Sequence, residues 1–352
     1  MAKISRHRAK VLERQARAAE RMITLPERFE KVPIISWYPG HMLKAQREMK
    51  DKLKIVDVVI ELVDARIPYT SLNPQFDPIF QNKPRIVLLN KSLLSESSET
   101  KKWVDYYRKQ GRTVLAIDAV KKRNMDKVLP LIRRAMSKLQ NKKFRLSTRC
   151  MIIGIPNVGK STFINRMASK NIARTGAKPG LTRSQQWVKL ADDVELLDTP
   201  GVLFPRIQTK ADELNLSLTA GIRDELVGEQ LTAEYLIYRL REQGIIDRLK
   251  GLTDENTEGL REEEVLRKFA RLRGFLEIGD QEDMHKASVT LLNMFRESKI
   301  GSLSLNHVDE MLEMERLMAE KKAQKELDRL EDLAIKAEFK RKKEEAEENE
   351  KF

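Results

Sequence analysis

With 352 residues, 41% of them hydrophobic, the chain is too apolar to be disordered throughout and has room for one sizeable domain, a smaller second one and flanking tails. Its 67 Lys and Arg outweigh 53 Asp and Glu for a net charge of +14, the footprint of a protein that meets phosphate, so nucleic acid is the expected partner class. A single cysteine, Cys150, excludes an internal disulfide or a cysteine metal cluster, and no run reaches the roughly 18 to 20 apolar residues of a membrane span.

The charge is unevenly placed. Residues 1–31 carry nine basic and four acidic residues, residues 308–352 carry eleven and fifteen, and the middle therefore holds +13. The Arg- and Ala-rich start has helical spacing and reads either as a mitochondrial targeting helix, against which Glu13 and Glu20 count, or as a basic helix that contacts RNA. After it comes the segment WYPGHM, Trp37 to Met42. Five runs rich in β-branched residues follow at Ile55–Val63, Ile86–Leu89, Thr113–Ile117, Arg149–Ile153 and Val194–Leu197. Helical patterns such as Glu99–Gln110 and Asn124–Leu139 separate them, the alternation of a parallel sheet flanked by helices. Ligands of such sheets sit beyond the carboxyl ends of the strands, so the residues after each run carry the information.

The first run ends in DARIP, Asp64 to Pro68; the second in Asn90 and Lys91; the third in Asp118 and Ala119. The fourth ends in GIPNVGKS, Gly154 to Ser161, with a helical pattern from Thr162. Glycines at both ends let backbone amides wrap phosphates, Val158 and Gly159 lie in the wrap, Lys160 reaches the terminal phosphates, and Ser161 offers a hydroxyl to Mg²⁺. Lys178 to Thr182 reads KPGLT, where Thr182 is the candidate switch residue sensing Mg²⁺ and the γ-phosphate. The fifth run delivers DTPG: Asp198 is placed to hold the Mg²⁺ water shell, and Gly201 supplies an amide that meets a γ-phosphate. Beyond it, Gln208–Ala220, Glu229–Gln243, Glu262–Leu272 and Met284–Phe295 have helical spacing, with Gly244 and Gly274 as caps. Val308 to Phe352 has no Gly or Pro and carries 26 charges beside a thin stripe from Met311, Met314 and Met318 to Leu327, Leu330, Ala334 and Ala337, a long helix that is either solvated or partner-binding.

In this order the base-reading elements precede the phosphate loop, and the chain resembles the circularly permuted GTPases of the ribosome-biogenesis GTPase A family and its mitochondrial ribosome-associated counterpart over roughly residues 36–305. The resemblance implies a P-loop GTPase domain with permuted motifs over 36–205, a small all-α domain over 206–305, a basic extension over 1–35 and a charged helical tail over 306–352. It implies GTP and Mg²⁺ as ligands, slow hydrolysis hastened by the particle, and as partners a large ribosomal subunit precursor, its rRNA and ribosomal proteins or other assembly factors. The extensions point to the mitochondrial matrix, with cytoplasm as the alternative. Asn90 and Lys91 then match the NKxD loop, Asp118 and Ala119 the second guanine loop, and Asn157 a residue that helps bind K⁺ in potassium-stimulated members of the class. His41 matches the histidine implicated in hydrolysis, although beside Pro39 and Gly40 it also reads as a turn residue. The chain departs from the pattern twice. Val202 stands where signalling GTPases carry a water-orienting glutamine, and Leu93 stands where an aspartate accepts hydrogen bonds from guanine, with Glu96 the next acid along the chain.

Overall fold

The computed structural model describes residues 25–35, 40–72, 83–137, 147–168, 186–201, 209–249 and 259–349, together with positions 80, 203, 207 and 257. Residues 25–308 form one compact unit. Within it the strands β1 (Val58–Asp64), β2 (Arg85–Asn90), β3 (Thr113–Ala116), β4 (Thr148–Ile153), β5 (Gln186–Ala191) and β6 (Val194–Asp198) build one sheet in the order β3-β2-β1-β4-β6-β5. All neighbours are parallel except β5, which runs antiparallel to β6 at the edge.

The expected strands lie where the β-branched runs placed them, because helices cover both faces and every residue of β1 is buried. The run expected to start at Ile55 starts three residues later; Leu53–Ile55 is a 3₁₀ turn. β5 is an addition to the expected set. Its Gln186, Trp187 and Lys189 are exposed while Val188 and Leu190 are buried, the alternation of a half-covered edge rather than an apolar run.

Helix α1 (Gly40–Lys52) covers one face, where Met49, Leu53 and Val56 pack with Val59, Met151, Ile153 and Leu197. WYPGHM thus does not end in a turn at His41: Gly40 opens a helix and His41 is its second residue, while Ser36 to Pro39 lie outside the described residues. Helices α2 (Ser97–Lys109) and α3 (Val128–Ser137) follow β2 and β3, and α4 (Lys160–Met167) follows β4. Cys150 is buried in β4, as expected of a core residue.

Four further helices, α5 (Lys210–Leu218), α6 (Glu229–Glu242), α7 (Glu262–Leu272) and α8 (Met284–Arg296), share the main hydrophobic core with the other face of the sheet. Thr209 caps α5 by accepting the Asp212 amide, Asp283 caps α8 through the Lys286 amide, and Gly244 and Gly274 end α6 and α7 at φ of +69° and +65°. α6 is buried on most sides, and Phe29 meets Tyr235 edge to face at 5.6 Å. The tail is a 42-residue helix, α9 (Val308–Asn349), with Leu327, Leu330 and Leu333 exposed. Among the described residues no helix is long and apolar enough to cross a membrane.

Candidate functional site

β4 lies in the middle of the sheet, between β1 and β6, so its carboxyl end brings Gly154–Ser161 between the loops after β1, β2 and β6. Two glycines are dictated by contact. A Cβ on Gly154 would lie 2.5 Å from the Leu62 carbonyl oxygen, and one on Gly159, at φ +102°, would lie 2.5 Å from Asn90 Nδ2. Lys160 opens α4 and folds back over its own loop, its Nζ donating to the Gly154 and Ile155 carbonyls at 3.0 Å. Burial pushes its pKa down, opposed by the charge of Asp198.

Asp198 ends β6 beside that lysine and is 1% exposed. Neither of its carboxylate oxygens has a hydrogen-bond partner among the described residues, and burial raises its pKa against the pull of Lys160. A buried carboxylate with no hydrogen-bond partner is a donor set that fits Mg²⁺, with Ser161 at the start of α4 as the second ligand expected. Thr199 ties the loop back by donating its hydroxyl hydrogen to the Ile152 carbonyl. Gly201 packs so closely on the phosphate loop that a Cβ there would lie 2.7 Å from Pro156 Cα. Thr182 and Val202 lie outside the described residues, and of His41 the structure describes the backbone alone.

The base side is held differently. Asn90 is buried at the end of β2, donating from Nδ2 to the Val158 carbonyl at 2.9 Å and accepting the Ala119 amide at Oδ1 at 3.0 Å, so one side chain joins the phosphate loop to the loop after β3. Asp118 accepts the Lys121 amide at 2.7 Å and shapes its own turn. Lys91, at φ +59°, donates to the Asn157 carbonyl at 2.8 Å and to Asp64 at 2.9 Å. Leu93 is 43% exposed beyond it. Asn157, at φ +54°, donates from its side-chain Nδ2 to the Ala220 carbonyl just past the end of α5, while Thr162 continues the first turn of α4.

Two features are not apparent from the sequence. Asp64 is the acid that meets Lys91, although Glu96 is nearer along the chain; the parallel pairing of Asp64 with Asn90 sets it there. Ion pairing in the first turn of α5 is the other: buried Glu213 binds Lys210 and accepts the Ile35 amide, fixing the stretch that leads toward α1.

The family profile described as 50S ribosome-binding GTPase matches residues 149–266. Ribosome biogenesis GTPase A of Bacillus licheniformis is 41% identical over 285 residues, covering 79% of this chain and 100% of that protein. Mitochondrial ribosome-associated GTPase 1 of Xenopus tropicalis is 38% identical over 226 residues, covering 61% of this chain and 73% of its own. Among solved structures, GNP-bound YlqF from T. maritima superposes with a TM-score of 0.55 at 30% identity, covering 75% of this chain and 98% of that one. A phosphate loop built on a central strand, an unsatisfied aspartate beside its lysine and 41% identity across the whole of a curated relative converge on one conclusion: this chain belongs to the ribosome biogenesis GTPase A family.

Proposed function

We propose that this GTPase is an assembly factor for the large subunit of the mitochondrial ribosome, binding the subunit precursor and its rRNA through the basic core and hydrolysing GTP slowly until the particle stimulates it. The observation that carries the nucleotide half of this reading is a buried Asp198 whose carboxylate oxygens have no hydrogen-bond partner among the described residues, at the end of the strand beside the one that leads into the Lys160 loop, where the charge of Lys160 reaches it. Similarity to mitochondrial ribosome-associated GTPases of Xenopus tropicalis and Mus musculus supports the particle and the organelle.

In this reading Gly154 to Thr162 cradle the phosphates, and Lys160 leaves the loop carbonyls to neutralise them. Asp198, Ser161 and Thr182 would hold Mg²⁺, which would supply neutralisation of the phosphate charge. Asn157 helps bind K⁺, and the backbone of Gly201 senses the γ-phosphate. Val202 offers no group to orient water, so His41 takes that task. Asn90, Lys91, Asp118 and Ala119 enclose the base. Ribosomal proteins or other assembly factors join rRNA as partners of the particle-bound state. A scaffold that binds nucleotide with little hydrolysis is disfavoured by membership of a family of GTPases.

The test is GTP turnover by the full chain alone and with purified mitochondrial large-subunit precursors, across a salt series. Stimulation by the particle, with binding that weakens steeply as salt rises because phosphate contacts release counterions, is the expected result. Turnover unaffected by the particle would overturn the reading.

A further inference from the structure

DARIP is the one motif the nucleotide chemistry does not use. Its first and third residues are among the most deeply buried charges of the molecule, Asp64 and Arg66 each at 1% exposure. Arg66 wraps Asp64: its amide and Nε both donate to Oδ1 at 3.0 Å and its Nη2 donates to Oδ2 at 2.8 Å. Lys91 takes the remaining approach to Oδ2 while also holding the Asn157 carbonyl of the phosphate loop. One carboxylate therefore fixes a lysine of the nucleotide site and an arginine outside it.

The arginine faces the C-terminal helices. Its guanidinium carbon lies 5.1 Å from the centre of the Phe295 ring in α8, and its carbonyl accepts the Leu305 amide at 2.8 Å and the Asn306 amide at 3.3 Å. Asn306 in turn accepts the Thr70 amide at Oδ1, and its own carbonyl accepts the Trp103 indole hydrogen. Nη1 of Arg66 and Nδ2 of Asn306 are buried without hydrogen-bond partners among the described residues, so this junction is held short of full satisfaction and is sensitive to small shifts.

We propose that Asp64 positions Lys91 for nucleotide binding and, through Arg66, couples occupancy of the nucleotide site to the packing of α8 and the 303–306 segment. A lysine with its ammonium fixed between Asp64 and Asn157 presents its stem as a rigid wall to an entering base. A nucleotide that shifts the Asn157 loop shifts the lysine, and Asp64 passes the displacement to Arg66. The inference rests on the reading that Lys91 lines the nucleotide site.

Two measurements on the full chain test it. In a double-mutant cycle, Asp64→Asn should weaken GTP binding by about 10- to 100-fold, the loss of charge-assisted hydrogen bonds, yet by less than about threefold in a Lys91→Ala background. Equal losses in both backgrounds would overturn the proposal alone; a silent Lys91→Ala would overturn the site reading and the proposal with it. In hydrogen exchange, GTP should slow the Leu305 and Asn306 amides in the native chain by about fivefold or more and leave them unchanged in Asp64→Asn. Nucleotide-linked protection that persists in the variant would overturn the coupling. Because Asp64→Asn strands a buried arginine, Arg66→Lys, which keeps the charge and loses the fork, is measured in parallel, and the same loss of linked protection is expected.

Discussion

The phosphate side and the base side of the site stand in opposite states. On the phosphate side the functional groups are committed to nothing that a ligand cannot replace: Lys160 rests on two loop carbonyls, and the Asp198 oxygens have no hydrogen-bond partner among the described residues. On the base side the groups are committed to each other, with Asn90 bridging Val158 and Ala119, Asp118 closing its own turn and Lys91 locked to Asp64, while the residue that reads guanine elsewhere in the class is an exposed leucine. This contrast locates the binding energy. In the proposed reading, phosphates and Mg²⁺ would satisfy groups that are costly to leave buried and unpaired, whereas the base would meet a prebuilt frame with little left to offer.

The largest effect is expected at Lys160. Lys160→Ala removes two charge-assisted hydrogen bonds to phosphate at about 2 kcal/mol each, so the dissociation constants for GTP and GDP should both rise roughly a thousandfold. Titration of the variant with a fluorescent nucleotide checks this, and an unchanged affinity would return the binding energy to the base side. His41→Ala should do the reverse in kinetics. Nucleotide affinity should stay within a few-fold while particle-stimulated turnover falls by about a hundredfold, the usual contribution of a group that positions or activates water. Equal stimulated rates would leave His41 as the second residue of a helix and nothing more.

Much of this arrangement is legible in the sequence because strand ends carry the chemistry. β-branched runs locate five of six strands, and Asn90, Gly154–Ser161 and Asp198 follow from where those runs stop. The permutation leaves the spatial arrangement intact, since the order of motifs along the chain does not alter what lies beside β4. β5 is not marked by an apolar run, because its six residues are covered on one face only and alternate polar and apolar side chains. α1 is hidden by Pro39 and Gly40, which read as a turn although glycine also opens helices. The ion pair of Asp64 with Lys91 spans 27 residues, and only the register of β1 on β2 makes them neighbours.

The frame itself can be loosened without touching the phosphates. Asn90→Ala unties the Val158 carbonyl and the Ala119 amide together, two neutral hydrogen bonds at about 1 kcal/mol each, so GTP and GDP should both bind about 30-fold more weakly. Turnover at saturating GTP should change little, because neither bond strengthens in the transition state. A fall in saturated turnover equal to the fall in affinity would instead mean that Asn90 aligns the phosphate loop for hydrolysis. Thermal unfolding of the variant, measured alongside, separates a loosened site from a loosened sheet.

Leu93 gives the smallest and most selective effect. It is exposed two residues beyond Lys91, so a carboxylate can be introduced there with no buried charge to compensate. Leu93→Asp therefore restores the acceptor that guanine lacks in this chain and adenine cannot use. One recovered charge-assisted hydrogen bond, at about 1.5 kcal/mol, corresponds to roughly tenfold tighter GTP with ATP nearly unchanged. Dissociation constants for both nucleotides, in both proteins, separate base recognition from phosphate recognition. If neither constant moves, the base side has been rebuilt around more than one residue. If the native chain already prefers GTP strongly, backbone groups of the loops after β2 and β3 read guanine without the aspartate. That outcome would make the frame of Asn90, Ala119 and Val158 the specificity element, and the contrast between the two sides one of rigidity rather than of energy.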